Sequence, residues 1–432
     1  MGKGYIQIPD ETGKLRPEHC VIMEKYIGRK LTKAERVHHI NEDKADNRLE
    51  NLFLCESQQE HMKVHNTAND ALKILVDLGY ISFKDGKYFL SLSNEAQSIA
   101  FQDILLQPNF SNIASRQDPD LKNNITKNIQ LKVPICATNM SAISELEMLK
   151  TMNKIGGTAF IHRFMPFKEL LTIINKAHDL DINPIIPSIG TGKEDYNNLK
   201  DLLSAKPHAI LIDIAHGHSA NAAKMLQEIK HRQPEQEVIV GNISTSLAVY
   251  DMHKLGADAI RVGIGGGSVC TTRKVTGHGT PTLTSLINCY SLCQKLDLPI
   301  IIDGGISSSG DIVKCLAFGA NAVCIGNLLA GTSDTPGEII TKQGEKYKEY
   351  YGMSSKHKNL CKIKGERPEI AAEGIAKLIK YKGGTEDTLR ELIGGIKSGY
   401  SYSGAANTDE LRKKIRPIRL SVGAMIESKL IT

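Results

Sequence analysis

Residues 259–282 read AIRVGIGGGSVCTTRKVTGHGTPT, and the fold follows from the kind of unit this stretch closes. The apolar run 259–264 has the length and β-branched character of a buried strand. It leads into three successive glycines, Gly265, Gly266 and Gly267, then Cys270, Thr271, Thr272 and Arg273, then a second loop, Gly277-His278-Gly279. Glycines without a Cβ let backbone N–H and C=O groups approach a phosphate or a cation. A cysteine directly after such a turn and beside Arg273 is a candidate nucleophile, because N–H dipoles and a guanidinium favour its thiolate. A buried structural cysteine in a glycine turn is the competing reading.

The same strand-then-loop unit recurs on both sides of this stretch. Eight apolar, β-rich runs, at 134–138, 158–162, 184–189, 209–214, 237–241, 259–264, 299–303 and 322–325, alternate with helix-length polar segments. Nearly continuous apolar strands separated by helices pair in parallel and are covered on both faces. Eight of them predict an α/β fold, a (β/α)8 TIM barrel. An open doubly wound sheet is the alternative, but no GxGxxG follows the first strand.

In a barrel the residues just past each strand collect at one mouth. Here they include Asn139, His162-Arg163, Gly190-Thr191-Gly192, Asp213 with His216-Gly217-His218, Asn242 and the Cys270 loop. Asp303-Gly304-Gly305 and Gly326-Asn327 follow strands seven and eight, where such barrels commonly bind phosphate.

The 432 residues exceed one average domain but suit a barrel with a small appendage. A 41% hydrophobic, 24% charged composition is that of a globular chain, not a disordered or fibrous one. No run approaches the roughly 18 apolar residues needed to span a bilayer, and no signal-peptide core stands at the N-terminus, so no membrane role is expected. Nine cysteines without a CxxC pair fit a reducing cytoplasm better than a disulfide framework. Residues 341–420 carry 18 Lys and Arg against 10 Asp and Glu, whereas residues 1–70 carry 11 against 12.

Five of the fourteen histidines fall within residues 1–70. His38 and His39 are adjacent, and His61 and His65 are spaced to share one helix face, a pattern that holds a divalent metal together with an earlier histidine. Exposed histidines around a turn at Asp46-Asn47 and a cap at Asn51 form the structural alternative. The chain is therefore expected to divide into a small α+β module at 1–68, a helix-and-hairpin connector at 69–97 and the barrel at 98–432.

The first module resembles the HNH endonuclease family through Arg16-Pro17-Glu18-His19, Gly28-Arg29-Lys30-Leu31, Val37-His38-His39-Ile40-Asn41, Asp46-Asn47-Arg48, Glu50-Asn51-Leu52 and His61. The resemblance implies a ββα-metal unit with His38 as a metal ligand, His39 as the general base, Asn51 orienting that base and His61 or His65 completing the site. DNA is the implied partner, although a net charge of −1 is unfavourable for phosphate neutralisation.

The large segment resembles the family of IMP dehydrogenase and GMP reductase, through FQDILLQP, VPICATNM, FIHRF, IDIAHGHS, GNIST, VGIGGGSVCTTRKVTGHGTP, IIIDGGISSSGDI, IGNLLAGTSDTPGE, YYGMSS and YSYSGA. No room exists between the strands for the regulatory CBS modules that IMP dehydrogenases usually carry. The resemblance implies that the Cys270 thiolate adds to C2 of a purine nucleotide monophosphate and that Thr272 shuttles a proton. Carbonyls of Gly265, Gly267 and Cys270 would hold potassium. Ser268, Asp303, Gly305, Gly326, Asn327, Met353 and Ser354 would bind the nucleotide. Asp213, His216, Gly217, Gly190, Thr191 and Gly192 would face the nicotinamide cofactor, NADPH in a reductase or NAD in a dehydrogenase. The family also implies a homotetramer.

FIHRF, IDIAHGHS and the Cys-Thr-Thr-Arg-Lys run favour the reductase, with an IMP dehydrogenase lacking CBS modules as the alternative. An HNH endonuclease that uses the barrel as an oligomeric platform is the alternative from another class. Two departures stand against the reductase. Ser141 replaces a usual acidic or amide residue, and Lys356 occupies the position after Met-Ser-Ser where the resemblance calls for a glutamate partner of the threonine. Either Glu373 or another carboxylate substitutes, or the group at C2 differs, or catalysis is weak.

Overall fold

The structure is a computed structural model that describes residues 6–10, 13–40, 43–77, 81–84, 87–90, 98–357 and 371–427. The chain divides into two compact units, Met1–Asn94 and Glu95–Thr432. No helix among the described residues is long and apolar enough to cross a membrane.

The large unit is a closed barrel of eight parallel strands in sequential order, so the TIM barrel holds and the open sheet does not. The strands are Ile135–Ala137, Thr158–Ile161, Ile186–Ile189, Ala209–Asp213, Glu237–Ile243, Ala259–Val262, Ile300–Asp303 and Ala322–Ile325. Closure comes from the first and eighth, where Cys136 pairs with Cys324. These runs are rich in Ile, Val and Leu because each strand is buried on both faces, toward the barrel interior and toward the helices. Phe160, Ile186, Leu211, Ile239 and Ile301 fill the interior with no exposed surface, each contributing about 1.5–3 kcal/mol of burial.

A hairpin, Asn123–Asn124 against Gln130–Leu131, packs Ile125, Ile129 and Leu131 into the same cluster. Thr126 Oγ1 donates to Glu237 Oε2 at 2.6 Å, joining this hairpin to the start of strand five. The opposite end, where the strands terminate, is left for chemistry. Outer helices begin at defined caps: Ser219, Thr245 and Ser308 side chains accept from the N–H groups of Ala222, Ala248 and Asp311.

Beyond the eighth strand a three-stranded antiparallel sheet forms from Ile340–Lys342, Glu345–Tyr351 and Ala376–Lys380. The helices Thr385–Tyr402 and Thr408–Lys414 follow, and Pro417–Arg419 returns to pair with Ile104–Leu106 at the start of the unit.

In the small unit, Arg36–His39 pairs antiparallel with Leu52–Cys55 and is followed by the helix Gln58–Asp77. The helix expected at the start of the 69–97 connector is the second half of this longer one. No Gly or Pro interrupts 58–77, so nothing ends the helix at residue 68. Ile81–Lys84 and Lys87–Leu90 form the expected hairpin. Asn41, and the tip at Asp85 and Gly86, lie outside the described residues.

Candidate active site

A cavity of about 580 Å³ opens at the C-terminal mouth of the barrel strands. Its size is in the range that buries a small molecule. Cys270, Thr272, Ser268, Gly265 and Gly267 line it from the loop after strand six. Asp303 and Gly305 reach it from strand seven, Gly326 and Asn327 from strand eight, Met353 and Ser354 from the segment after Tyr351, and Asp213 from strand four. The other expected cofactor residues lie outside this lining. Gly190 and Gly192 N–H groups both donate to the Asp195 carboxylate, at 3.1 and 2.8 Å, with Thr191 between them. Gly217 N–H donates to the Asn242 carbonyl, and the His216 ring stands 6.4 Å from that of His218.

Cys270 heads a hydrogen-bonded line. Its thiol donates to Thr272 Oγ1 at 3.2 Å, and the Thr272 hydroxyl donates to Glu373 Oε2 at 2.6 Å. Among the alternatives that Lys356 left open, this contact is the one to Glu373. Lys356 is exposed, and the carboxylate that meets the threonine is Glu373, seventeen positions further along. The backbone explains how so distant a residue arrives. Thr271 N–H donates to the Glu373 carbonyl, Ile375 N–H to the Val269 carbonyl, and Glu373 N–H to the Ser354 carbonyl. The strip 373–375 is thus threaded between the cysteine loop and the 352–354 segment. Gly352 and Gly374 permit the approach, since a Cβ on either would stand 3.1 Å from the other's Cα.

Ser141, the second departure, donates its hydroxyl to Tyr351 Oη at 3.2 Å, and its N–H meets the Met353 sulfur at 3.2 Å. Tyr351 in turn stacks on the buried His357 ring, 3.7 Å between centroids.

Asp303 Oδ2 accepts from Asn242 Nδ2 at 2.8 Å and from the Arg261 guanidinium at 2.9 Å. The sequence reading gave Arg261 no role. The available signal was an arginine inside an otherwise apolar strand, which a buried position tolerates only with paired carboxylates.

In the small unit His38, His61 and His65 converge, one ligand nitrogen from each lying within 4.8 Å of the others. Strand alternation sends His39 to another set of partners. Its Nε2 donates to Asn47 Oδ1 at 2.9 Å, and Asn47 Nδ2 donates to Glu18 Oε2 at 2.6 Å. The amide that meets the His39 ring is therefore Asn47, where Asn51 was expected. Asn51 turns its amide to the Asp46 carbonyl at 2.8 Å. The His19 ring lies 4.8 Å from that of His39, and burial, reinforced by that neighbour, lowers its pKa to about 4. Glu24, hydrogen-bonded by Arg16, is held down at about 2.

Fold and cavity define a class, a (β/α)8-barrel enzyme with its site at the C-terminal mouth. Residues 98–430 match the IMP dehydrogenase / GMP reductase domain, and residues 16–62 match the HNH endonuclease family. The inosine-5'-monophosphate dehydrogenase of Cryptosporidium parvum is 35% identical over 386 residues, covering 78% of this chain and 96% of its own. GMP reductase 2 of Bos taurus is 36% identical over 327 residues, covering 74% of this chain and 94% of its own. GMP reductase of Vibrio vulnificus is 34% identical over 331 residues, with 74% and 94% covered. The chain belongs to the IMP dehydrogenase / GMP reductase family, oxidoreductases that act on purine nucleotide monophosphates with nicotinamide nucleotides.

Proposed function

We propose that the large unit is a GMP reductase, converting GMP to IMP with NADPH. The observation that carries this reading is the Cys270–Thr272–Glu373 line, which supplies the glutamate that the reductase resemblance requires and that Lys356 had left missing. The Cys270 sulfur bonds to C2 of the guanine. Its proton passes through the Thr272 hydroxyl to Glu373 and on to the 2-amino group, which leaves as ammonia. NADPH supplies the hydride that takes the amine's place at C2. The C–S bond then breaks, and the thiolate is regenerated with IMP as product.

Asp303 offers its carboxylate to the ribose, and Ser268, Gly305, Gly326 and Asn327 offer polar groups to the phosphate, with Met353 and Ser354 beside them. Asp213 serves the cofactor, together with His216, Gly217 and the Gly190–Thr191–Gly192 turn. Cys270 N–H donates to the Gly267 carbonyl at 3.0 Å, closing a turn over 267–270 in the loop that also carries Gly265. The carbonyl oxygens of Gly265, Gly267 and Cys270 would be the donors for potassium, which would stiffen that loop.

The test is turnover by the full chain of GMP, dGMP and IMP with NADPH and NAD, read by the near-ultraviolet absorbance of reduced nicotinamide. NADPH consumption with a guanine nucleotide, abolished in Cys270→Ala, is expected. NAD reduction with IMP as the sole activity would establish the dehydrogenase instead, and no change with any pair would sink the enzymatic reading.

For the small unit we propose a divalent-metal site at His38, His61 and His65, whose converging nitrogens fit a transition metal. His39, fixed by Asn47, is then the base of a nuclease acting on DNA. Metal-dependent nicking lost in His39→Ala is the expected outcome. Nicking that survives this change counts against it.

A further inference from the structure

Arg261 lies in strand six, 3% exposed, beneath the catalytic cavity. Its guanidinium forks. One nitrogen donates to Asp213 Oδ1 at 3.1 Å, and the other donates to Asp303 Oδ2 at 2.9 Å and to Thr138 Oγ1 at 3.0 Å. These partners stand at the ends of strands four, seven and one, so a single side chain ties together three sectors of the mouth. Burial works against its charge, but the carboxylates, Asp303 foremost, outweigh it and raise its pKa. Arg163 adds a second contact to Asp213, 3.4 Å from Oδ2. Two carboxylates and two guanidiniums thus balance at the floor of a cavity that must accept anionic nucleotides.

We propose that Arg261 is a positioning residue shared by the nucleotide half and the cofactor half of the site. The inference rests on the assignment of Asp303 to the ribose and Asp213 to the cofactor. The fork occupies Asp303 Oδ2 together with Asn242, which leaves Oδ1 to accept from sugar hydroxyls. The same fork holds Asp213 Oδ1 while Arg163 holds its other oxygen. A planar guanidinium can bridge two carboxylates in fixed geometry, whereas an ammonium is a point donor that cannot. Without the fork, two partly buried carboxylates face the cavity with one cation fewer, and their repulsion reaches both substrates.

The test uses steady-state KM values and calorimetric binding of GMP and of NADPH to the full chain, in Arg261→Met and Arg261→Lys. In Arg261→Met both KM values rise at least about tenfold, the weight of one charge-assisted hydrogen bond on each side. Asp303→Asn raises the nucleotide KM alone and Asp213→Asn the cofactor KM alone, and neither adds fully to Arg261→Met. Arg261→Lys recovers one KM and leaves the other raised, a split that a loss of folded protein cannot produce, because misfolding lowers kcat without moving KM. The Lys variant decides alone if the Met variant does not fold. Both KM values within about threefold of the unaltered protein, in whichever of the two variants folds, overturn the inference while leaving the reductase reading intact. An unaltered chain that binds neither ligand overturns both.

Discussion

Replacing Glu373 with Gln isolates what the carboxylate contributes beyond its hydrogen bond. Glutamine is nearly isosteric, and its amide oxygen still accepts from the Thr272 hydroxyl, now 2.6 Å from Glu373 Oε2. The strip that carries it is held by the backbone bonds of Thr271, Glu373 and Ile375, none of which involves the side chain. Geometry and ground-state binding should therefore survive, and KM for GMP should stay within about threefold. What is lost, on the proposed mechanism, is the group that takes the thiol proton and returns it to the departing amine. General acid–base participation of this kind is worth about 10² to 10⁴ in rate, so kcat should fall by that factor. The assay is NADPH oxidation under saturating GMP, paired with ammonia release in a single turnover. A fall in kcat of less than about tenfold, or a change confined to KM, would refute the proton role. Lys356→Glu is the companion control. That side chain is exposed, so turnover should change by less than about twofold. A large gain would mean that the missing carboxylate belongs at 356 after all.

Three further outcomes follow from the geometry. His38→Ala should abolish calorimetric binding of Zn²⁺ or Mn²⁺ by the small unit, whereas His39→Ala should retain it, because His39 lies with Asn47 outside the trio; equal loss in both would contradict the trio. The Glu24 carboxyl, depressed from 4.5 to about 2 chiefly by the Arg16 hydrogen bond, contributes stability that is complete above pH 4.5 and lost as pH falls through 2. His19, depressed from 6.5 to about 4, acts in the same sense, its contribution complete above pH 6.5 and lost as pH falls through 4. Melting temperature followed across that range should drop less steeply in Glu24→Gln, and an unchanged slope would remove Glu24 from the acid response. Gly263→Ala should cost folded yield, because Gly263 holds φ +142° and an added Cβ would overlap the Asp303 carbonyl; a soluble variant with normal melting would refute that packing.

The barrel was legible in the chain because its physics is periodic. Each strand must be apolar on both faces, each returns through a helix, and eight such runs leave little choice of topology. The strand ends followed from the same pattern, and so did the loop that holds Cys270, Thr272 and Ser268. The histidine trio was legible for a similar reason, since i, i+4 spacing on a helix fixes which face His61 and His65 share.

What the chain order could not supply was the meeting of residues brought together by non-local backbone pairing. Lys356 follows Met353-Ser354-Ser355 and so invited comparison there, yet the side chain that meets Thr272 is Glu373, carried in by the strip between Val269 and Gly352. Asn47 took the place expected of Asn51 beside His39 by the same token, because a loop's path, not its composition, decides which amide faces the ring. Arg261 was in plain view within the opening stretch, but its partners Asp213, Asp303 and Thr138 come from three other strands. Sequence periodicity alone determined the scaffold and the place of the Cys270 loop after strand six, since those depend on local burial. Only tertiary structure decided which carboxylate meets Thr272 beside Cys270 and which cation bridges Asp213 and Asp303, since those depend on distances that barrel closure sets.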